Sequence, residues 1–319
     1  MLPFITRKVL LNLLRLLTQK ELRLLDAMLH KHIFDSITYP EHLHYLYWEG
    51  QTDFWDNNPS PIRPSQDDID IYCKFLQRIR EKKRILILGS TPELRDLLVK
   101  EVGVTIYLAD FSYQMPAAML KFTQHVDPLK EVWIKANWLE LPFPENFFDV
   151  ILGDLILQQF PPDLELSFLK KMHLFLKEDG AFIGRFHFLD DAMRRGSLGN
   201  LIRKTIDSPL SEQQKFVLLK LRMLWFFADP ARRKLHRQTA AQKFDDFVDT
   251  NKIRDPLLQR VRAALLTDKD SYRNWSPPEE KPLLDLLSKY FVILDKCVAS
   301  DYEDAKYYPL FLLTPRPLA

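Results

Sequence analysis

Between residues 84 and 190, short apolar runs alternate with stretches of helical periodicity. The apolar runs are Arg84–Leu88, Val104–Ala109, Val132–Lys135, Phe148–Leu152 and Ala181–Phe186, and helical patterns fill the gaps at 92–102, 113–125 and 162–177. Strands alternating with helices predict right-handed crossovers and a parallel sheet. Ile85-Leu86-Ile87-Leu88 is apolar throughout, as a strand buried on both faces should be. Residues 191–285 show no convincing strand. There Leu218, Leu219, Leu221, Met223, Leu224 and Phe227 fit a buried helical face, with Ser211-x-x-Gln214 as a capping box in front. The strand rhythm returns in Phe291–Leu294 and Tyr308–Leu313, so the helical block reads as an insertion into an α/β domain.

Ahead of the sheet, residues 1–83 read as a helical extension ending in a cap loop. The Leu-rich start carries Arg7, Lys8, Arg15 and Lys20 and no acid in its first 20 residues. A packed amphipathic helix is the preferred reading, because the pattern runs on through Leu22, Leu24, Leu25, Met28 and Leu29. A targeting peptide or a helix lying weakly on a membrane surface is the alternative. No apolar stretch approaches the ~18 residues a span needs. Residues 48–65 are rich in aromatics and proline and cannot be helical through Pro59, Pro61 and Pro64. Ser65 then caps a new helix with Asp67 and Asp68 in its first turn. The expected organisation is an extension at 1–83, a core at 84–190, an insertion at 191–285 that forms a lid over the core, and closing strands at 286–319.

Composition narrows the class. The 319 residues hold 45 Lys+Arg against 43 Asp+Glu, with 46% hydrophobic and 28% charged residues, which excludes a wholly disordered chain. A net charge of +2 gives no chain-wide argument for nucleic acid, although residues 190–273 carry a local excess of seven positive charges. Two cysteines cannot build a disulfide scaffold or a cysteine zinc site, and they fit a reducing, cytoplasmic setting. Only 8 glycines beside 21 prolines argue against glycine-rich all-β folds.

The candidate chemistry gathers behind the first strand. Ile85–Leu88 is followed by Gly89 and then by a helix start in Ser90-Thr91-Pro92-Glu93. Either Ser90-x-x-Glu93 forms a capping box, or Thr91 caps a helix with Pro92 at its first position. Backbone N–H groups then face outward at the edge where doubly wound sheets bind ligands. Asp110 ends the second strand, 21 residues after Gly89, the place of an acid that takes ribose hydroxyls. A turn residue capping the next helix is the plainer alternative for Asp110. A dinucleotide wants G-x-G-x-x-G and a P-loop wants G-x-x-x-x-G-K-[ST], and the chain has neither. One glycine beside an acid suits an adenosine ligand without phosphate, such as the sulfonium S-adenosylmethionine.

With these residues in place, the order of elements resembles the class I S-adenosylmethionine-dependent methyltransferases. Gly89 and its neighbours match a glycine-poor form of the family's first motif, and Asp110 matches the acid after the second strand. Ala136-Asn137-Trp138-Leu139-Glu140-Leu141-Pro142-Phe143 resembles the third-strand segment G-D-x-x-x-L-P-F, with Asn137 in place of the acid that meets the adenine amino group. Phe147–Asp154 resembles the fourth strand, Leu176-Lys177-Glu178-Asp179-Gly180 the turn into the fifth, and Tyr308–Leu313 the last, antiparallel strand. The resemblance covers roughly 84–190 and 286–319. It implies a seven-stranded, doubly wound, Rossmann-like sheet and S-adenosylmethionine as cofactor. It also implies a cofactor site of Gly89, Ser90, Thr91, Asp110, Phe111, Asn137, Trp138 and Asp154. Arg63 is added as a partner for the methionine carboxylate, in a cap loop with Trp55, Pro61 and Ile62.

On the acceptor side, Asp154 and Gln158 follow the fourth strand. Arg185 and His187 share a face at the end of the fifth, where His187 could serve as a general base and Arg185 as its neighbour toward the acceptor. A structural histidine is the competing reading. Arg232-Arg233-Lys234-Leu235-His236-Arg237 reads as a solvated helix face, since no aromatics interleave with it. His30-x-His32 and His42-x-His44 lack the cysteine or His-Glu-x-x-His context of a metal site. The expected function is methylation of a small-molecule nucleophile. A non-catalytic binding or scaffold protein and an RNA methyltransferase are the alternatives.

Overall fold

The computed structural model describes residues 55, 57–111, 114–126, 131–191, 196–271 and 273–317. The Leu-rich N-terminal segment and both His-x-His pairs lie outside them. The apolar runs form β1 (Arg84–Leu88), β2 (Thr105–Asp110), β3 (Glu131–Lys135), β4 (Phe148–Asp154) and β5 (Leu176–Arg185), all pairing in parallel. After the insertion, β8 (Phe291–Cys297) and β9 (Leu310–Pro315) complete a seven-stranded sheet in the order β3-β2-β1-β4-β5-β9-β8, with β9 antiparallel to both neighbours. The order reverses between β1 and β4, and the crevice beyond their C-terminal ends is where such a sheet takes a ligand.

Strand periodicity divides the core. Ile85 and Ile87 face one side with Ile106, Leu108, Val150 and Leu152, and are covered by α1 (Gln66–Gln77) and α2 (Pro92–Leu98) through Tyr72, Phe75, Leu94 and Leu98. Leu86 and Leu88 face the other side, under Phe168, Leu169 and Met172 of α4 (Pro162–Phe175) and Leu283 and Leu287 of α9 (Glu280–Leu287). Each such fully buried side chain contributes about 1.5–3 kcal/mol. Ser65 and Asp68 form a reciprocal capping box that starts α1. The short α3 (Gln114–Met119) follows β2, and a fully buried ion pair joins α2 to Glu131 at the start of the edge strand β3. Arg95 donates to both Glu131 oxygens at 2.9 and 2.8 Å and to the Pro116 carbonyl at 2.9 Å.

The insertion has a core of its own, built from α5 (Leu198–Ile206), α6 (Glu212–Phe226), α7 (Arg237–Thr250) and α8 (Pro256–Asp268) around Met223, Phe244, Val248 and Val261. The Ser211–Gln214 capping box forms as expected. A two-stranded ribbon, β6 (Ala228–Asp229) with β7 (Lys234–Leu235), interrupts a block expected to lack strands. Two arginines fasten the insertion to the sheet domain. Arg222 donates to Asp304 and Glu303, and Arg233 grips the buried Glu165 of α4. No described helix is long and apolar enough to cross a membrane.

Candidate functional site

At the C-terminal ends of β1, β2 and β4 the sheet opens into a cavity of about 520 Å³, within the roughly 300–1,000 Å³ typical of small-molecule sites. Gly89 leaves β1 at a φ of +91°, a conformation that L side chains rarely adopt, and its N–H donates to Ala109 O at 2.8 Å. Helix α2 begins in the Thr91-Pro92 register, with no side-chain bond at its cap. The Ser90-x-x-Glu93 box is not formed, because Ser90 donates its hydroxyl to Asp110 Oδ2 at 2.6 Å. That bond spans the β1 and β2 ends and fixes a nearly buried carboxylate on the cavity wall. Trp138 donates its indole N–H to Ala109 O at 2.7 Å, closing the same corner. Asn137 also lines the cavity, but its Oδ1 accepts from Leu139 N at 3.0 Å, so that oxygen already supports the local turn. Thr91, Phe111, Met115 and Met119 extend this half of the wall, and Trp55, Asn58, Pro61 and Ile62 of the cap loop lie against it.

Two expected site residues are elsewhere. Arg63 does not reach the cavity, because its guanidinium is held by Glu93, with Nε–Oε1 at 2.9 Å and Nη2–Oε1 at 2.6 Å. Arg185 is not a surface toward the acceptor either. It is fully buried and donates through Nε and Nη2 to both oxygens of Asp154, through Nη1 to Asp68 at 2.7 Å, and through Nη2 to Pro61 O at 2.9 Å. The guanidinium fork suits this planar, multi-acceptor role. It ties the cap loop, α1 and β4 together behind the cavity. Tyr72 completes the hub, donating to Gly153 O at 2.7 Å and accepting from Arg185 N at 3.0 Å.

Asp154 does line the cavity. Burial lifts its carboxyl to about 6, against the pull of Arg185. Leu155 follows it at a φ of +53°, a strained backbone for a branched side chain, held by its N–H to Arg185 O at 2.9 Å. Strain of this kind is retained where the surrounding structure imposes it, here at the turn that delivers Gln158 and Gln159 to the wall. Gln158 O accepts from Arg273 Nη2 at 2.6 Å and from Trp275 Nε1 at 3.0 Å, which locks the insertion side onto this turn.

His187, two residues beyond β5, lines the cavity where Arg185 does not. Its ring stacks on Tyr308 at 4.1 Å and 14°, with Trp225 edge-on at 5.0 Å. Burial, then the charge of Arg185, holds its imidazole well below the usual histidine value, so the ring is neutral at physiological pH. The insertion supplies the facing wall with Leu221, Leu224, Leu235 and Pro278, and with Arg233, Arg237 and Arg273. This corrects the reading of 232–237 as a solvated helix face. The segment is a turn, one ribbon strand and a helix start, and two of its arginines sit at the cavity. Their register could not be read from charge alone, because the signal lay in the unrecognised ribbon. Among the described residues no cluster of histidine, cysteine or carboxylates could hold a metal.

The sequence profile of the methyltransferase domain family matches residues 88–184, the stretch from the end of β1 to the end of β5. No curated protein sequence matches the chain. Solved structures share its fold, two of them over most of this chain. A putative zinc-dependent alcohol dehydrogenase from Rhodobacter sphaeroides is 16% identical over 86% of this chain and 99% of its own, with a TM-score of 0.52. A Haemonchus contortus phosphoethanolamine N-methyltransferase, solved with phosphoethanolamine and S-adenosylhomocysteine, is 11% identical over 90% of this chain and 52% of its own, with a TM-score of 0.51. At such identity the likeness is one of fold. Residues 88–184 are a class I methyltransferase domain, and its cofactor is S-adenosylmethionine.

Proposed function

We propose that this chain transfers the methyl group of S-adenosylmethionine to a small-molecule nucleophile in the cavity between the sheet and the insertion. The observation that carries this reading is the division of one cavity into two unlike halves. One is built from the strand ends that carry Gly89 and Asp110, the other from insertion side chains. The residues fit the cofactor. The Asp110 carboxylate, oriented by Ser90, suits a ribose diol, and carboxylates take paired hydroxyls well. Gly89 keeps the backbone open, since a Cβ there would approach Trp138 only to 3.8 Å. Phe111, Met115 and Trp138 offer apolar faces to a base, Thr91 and Asn137 edge the same wall, and Asp154 is an anion for the amino-acid end.

When bound, S-adenosylmethionine supplies an electrophilic methyl on a sulfonium. What the chain supplies is alignment and exclusion of water, and for a displacement at carbon these account for most of the barrier that an enzyme removes. The insertion covers the acceptor half, and Arg233 with Glu165 holds it there. A covered, largely apolar pocket favours a small acceptor over an RNA strand, which would need an open basic groove. Incubation with methyl-labelled S-adenosylmethionine tests this, using a protein-free small-molecule extract and total RNA as acceptors in separate arms. Label entering the extract is expected. Label entering only RNA would replace the small-molecule reading.

A further inference from the structure

A second cavity, of about 850 Å³, adjoins the first on the insertion side. The two meet at Arg233, Leu235, Arg237 and Trp275, which line both. The ribbon builds this boundary. In β7, Lys234 is exposed while Leu235 is buried with Leu189 and Ala228. Arg233 precedes it at a φ of +55°, a left-handed backbone that a long side chain seldom adopts. Helix α7 starts directly afterwards, with no side-chain cap and no acid in its first turn, so the positive end of its dipole adds to the same wall.

Charge sets the second cavity apart. Among the described residues its lining holds five cations, Arg232, Arg233, Lys234, Arg237 and Lys269, against one acid, Asp270. Two further acids stand behind the lining, Asp229 on Arg232 and Glu165 on Arg233. Five cations against these three acids leave a surplus of two positive charges. At the boundary, Arg237 donates Nε to Arg273 O at 2.7 Å, and Arg273 of the main cavity donates Nη2 to Gln158 O at 2.6 Å. A carbonyl partner fixes a guanidinium in place without cancelling its charge. The lysines are exposed and the boundary arginines half-buried, so the cations lead inward from solvent. A cleft lined by one sign of charge focuses the field and concentrates ligands of the other sign. A surplus of two suits one oxyanion group. Nucleic acid would need a basic groove that follows successive phosphates, and this lining is a single mouth.

We propose that the acceptor carries an oxyanion, a carboxylate or a phosphate ester, and that Arg237 and Arg273 hold this group where the two cavities meet. Lys234 and Lys269 draw it in from solvent. The proposal deepens the methyl-transfer reading above and rests on it. The oxyanion is a handle and not the nucleophile, because it sits on the insertion wall, facing the strand ends of Gly89 and Asp110. It therefore survives in the product. The body of the molecule lies among Leu221, Leu224 and Leu235 and presents its nucleophile to the methyl group.

The test follows binding of 2-naphthoate and 2-naphthyl phosphate by fluorescence, beside uncharged 2-naphthol and cationic 2-naphthylmethylamine, in protein loaded with S-adenosylhomocysteine. At least one anion should bind about tenfold tighter than 2-naphthol and the amine, and weaken as salt rises. The tighter of the two anions tells carboxylate from phosphate. Arg237→Gln should lower that affinity about tenfold or more, with S-adenosylhomocysteine affinity by calorimetry unchanged, and Arg237→Lys should restore part of it. Lys234→Gln with Lys269→Gln, both exposed positions, should lower it about threefold. Labelled product formed from a small-molecule extract should be retained by an anion exchanger at neutral pH. In protein that binds S-adenosylhomocysteine, no preference for either anion overturns the proposal and leaves methyl transfer standing. So does an anion affinity that Arg237→Gln and the double lysine variant both leave unchanged, or a labelled product that passes the exchanger. A short single-stranded RNA bound more tightly than both anions puts nucleic acid in place of the small anion. A wild type that binds no S-adenosylhomocysteine removes the methyl-transfer reading, and the acceptor role of this site with it.

Discussion

Replacing Arg185 by leucine removes the centre of the hub behind the cavity. The wild-type guanidinium is fully buried and serves two carboxylates, Asp154 and Asp68, with side-chain exposures of 4% and 0%, as well as the Pro61 carbonyl. Removing one partner of a buried ion pair costs about 3–5 kcal/mol, because a charge is left uncompensated. The loss should depend on pH, and the sign follows from Asp154. Burial already raises its folded-state carboxyl to about 6 from an ordinary 3.8, so the folded protein binds more protons than the unfolded chain between those values. The contribution of Asp154 to wild-type stability therefore falls as pH rises from about 4 to about 6, by roughly 3 kcal/mol for that separation in pKa. Without Arg185, burial acts on Asp154 unopposed, and protonation becomes its escape. The variant's deficit should be largest at pH 8 and shrink by about 1–3 kcal/mol at pH 5. Urea unfolding followed by tryptophan fluorescence at both pH values measures this against wild type. A deficit below about 1 kcal/mol at pH 8, or one equal at both pH values, would refute the reasoning.

Other perturbations separate the remaining interactions. Glu131→Gln should cost about 3–5 kcal/mol by stranding Arg95, whereas the pair Arg95→Met with Glu131→Leu should regain most of it; denaturant midpoints of the three variants decide. Gly89→Ala has room for its methyl but not the backbone for it, so it should cost about 1–3 kcal/mol in thermal stability through strain alone. A cost near zero would show that the loop relaxes.

Much of the sheet was legible because burial on both faces leaves an unmistakable apolar run, as in Ile85–Leu88 and Phe148–Leu152. The order of those runs, with Asp110 at its spacing from Gly89, pointed to the edge where the sheet opens into the cavity. Arg185 was legible as a position but not as a role, because its partners Asp68 and Pro61 lie 117 and 124 residues away in sequence. The choice between Ser90 and Thr91 as the cap stayed open for a related reason, since the acceptor that engages Ser90, Asp110, comes from the next strand. Arg63 looked available because its partner Glu93 lies 30 residues away in sequence, with no periodic pattern to join the two. The arginines of 232–237 were hidden by the β6–β7 ribbon, whose two-residue strands leave no periodic signal. Gln159 offered none, as only the strained turn at Leu155 turns it inward.

The central claim is that Asp110 holds the ribose of an S-adenosyl ligand at the end of β2. Calorimetric titration of wild type and Asp110→Ala with S-adenosylhomocysteine tests it most directly. The account predicts binding by the wild type and a loss of about 1.5–3 kcal/mol in the variant, roughly ten- to hundred-fold in affinity, with folding retained. Equal affinity in the two proteins would contradict the placement of the ligand, and no binding by the wild type would contradict the account itself.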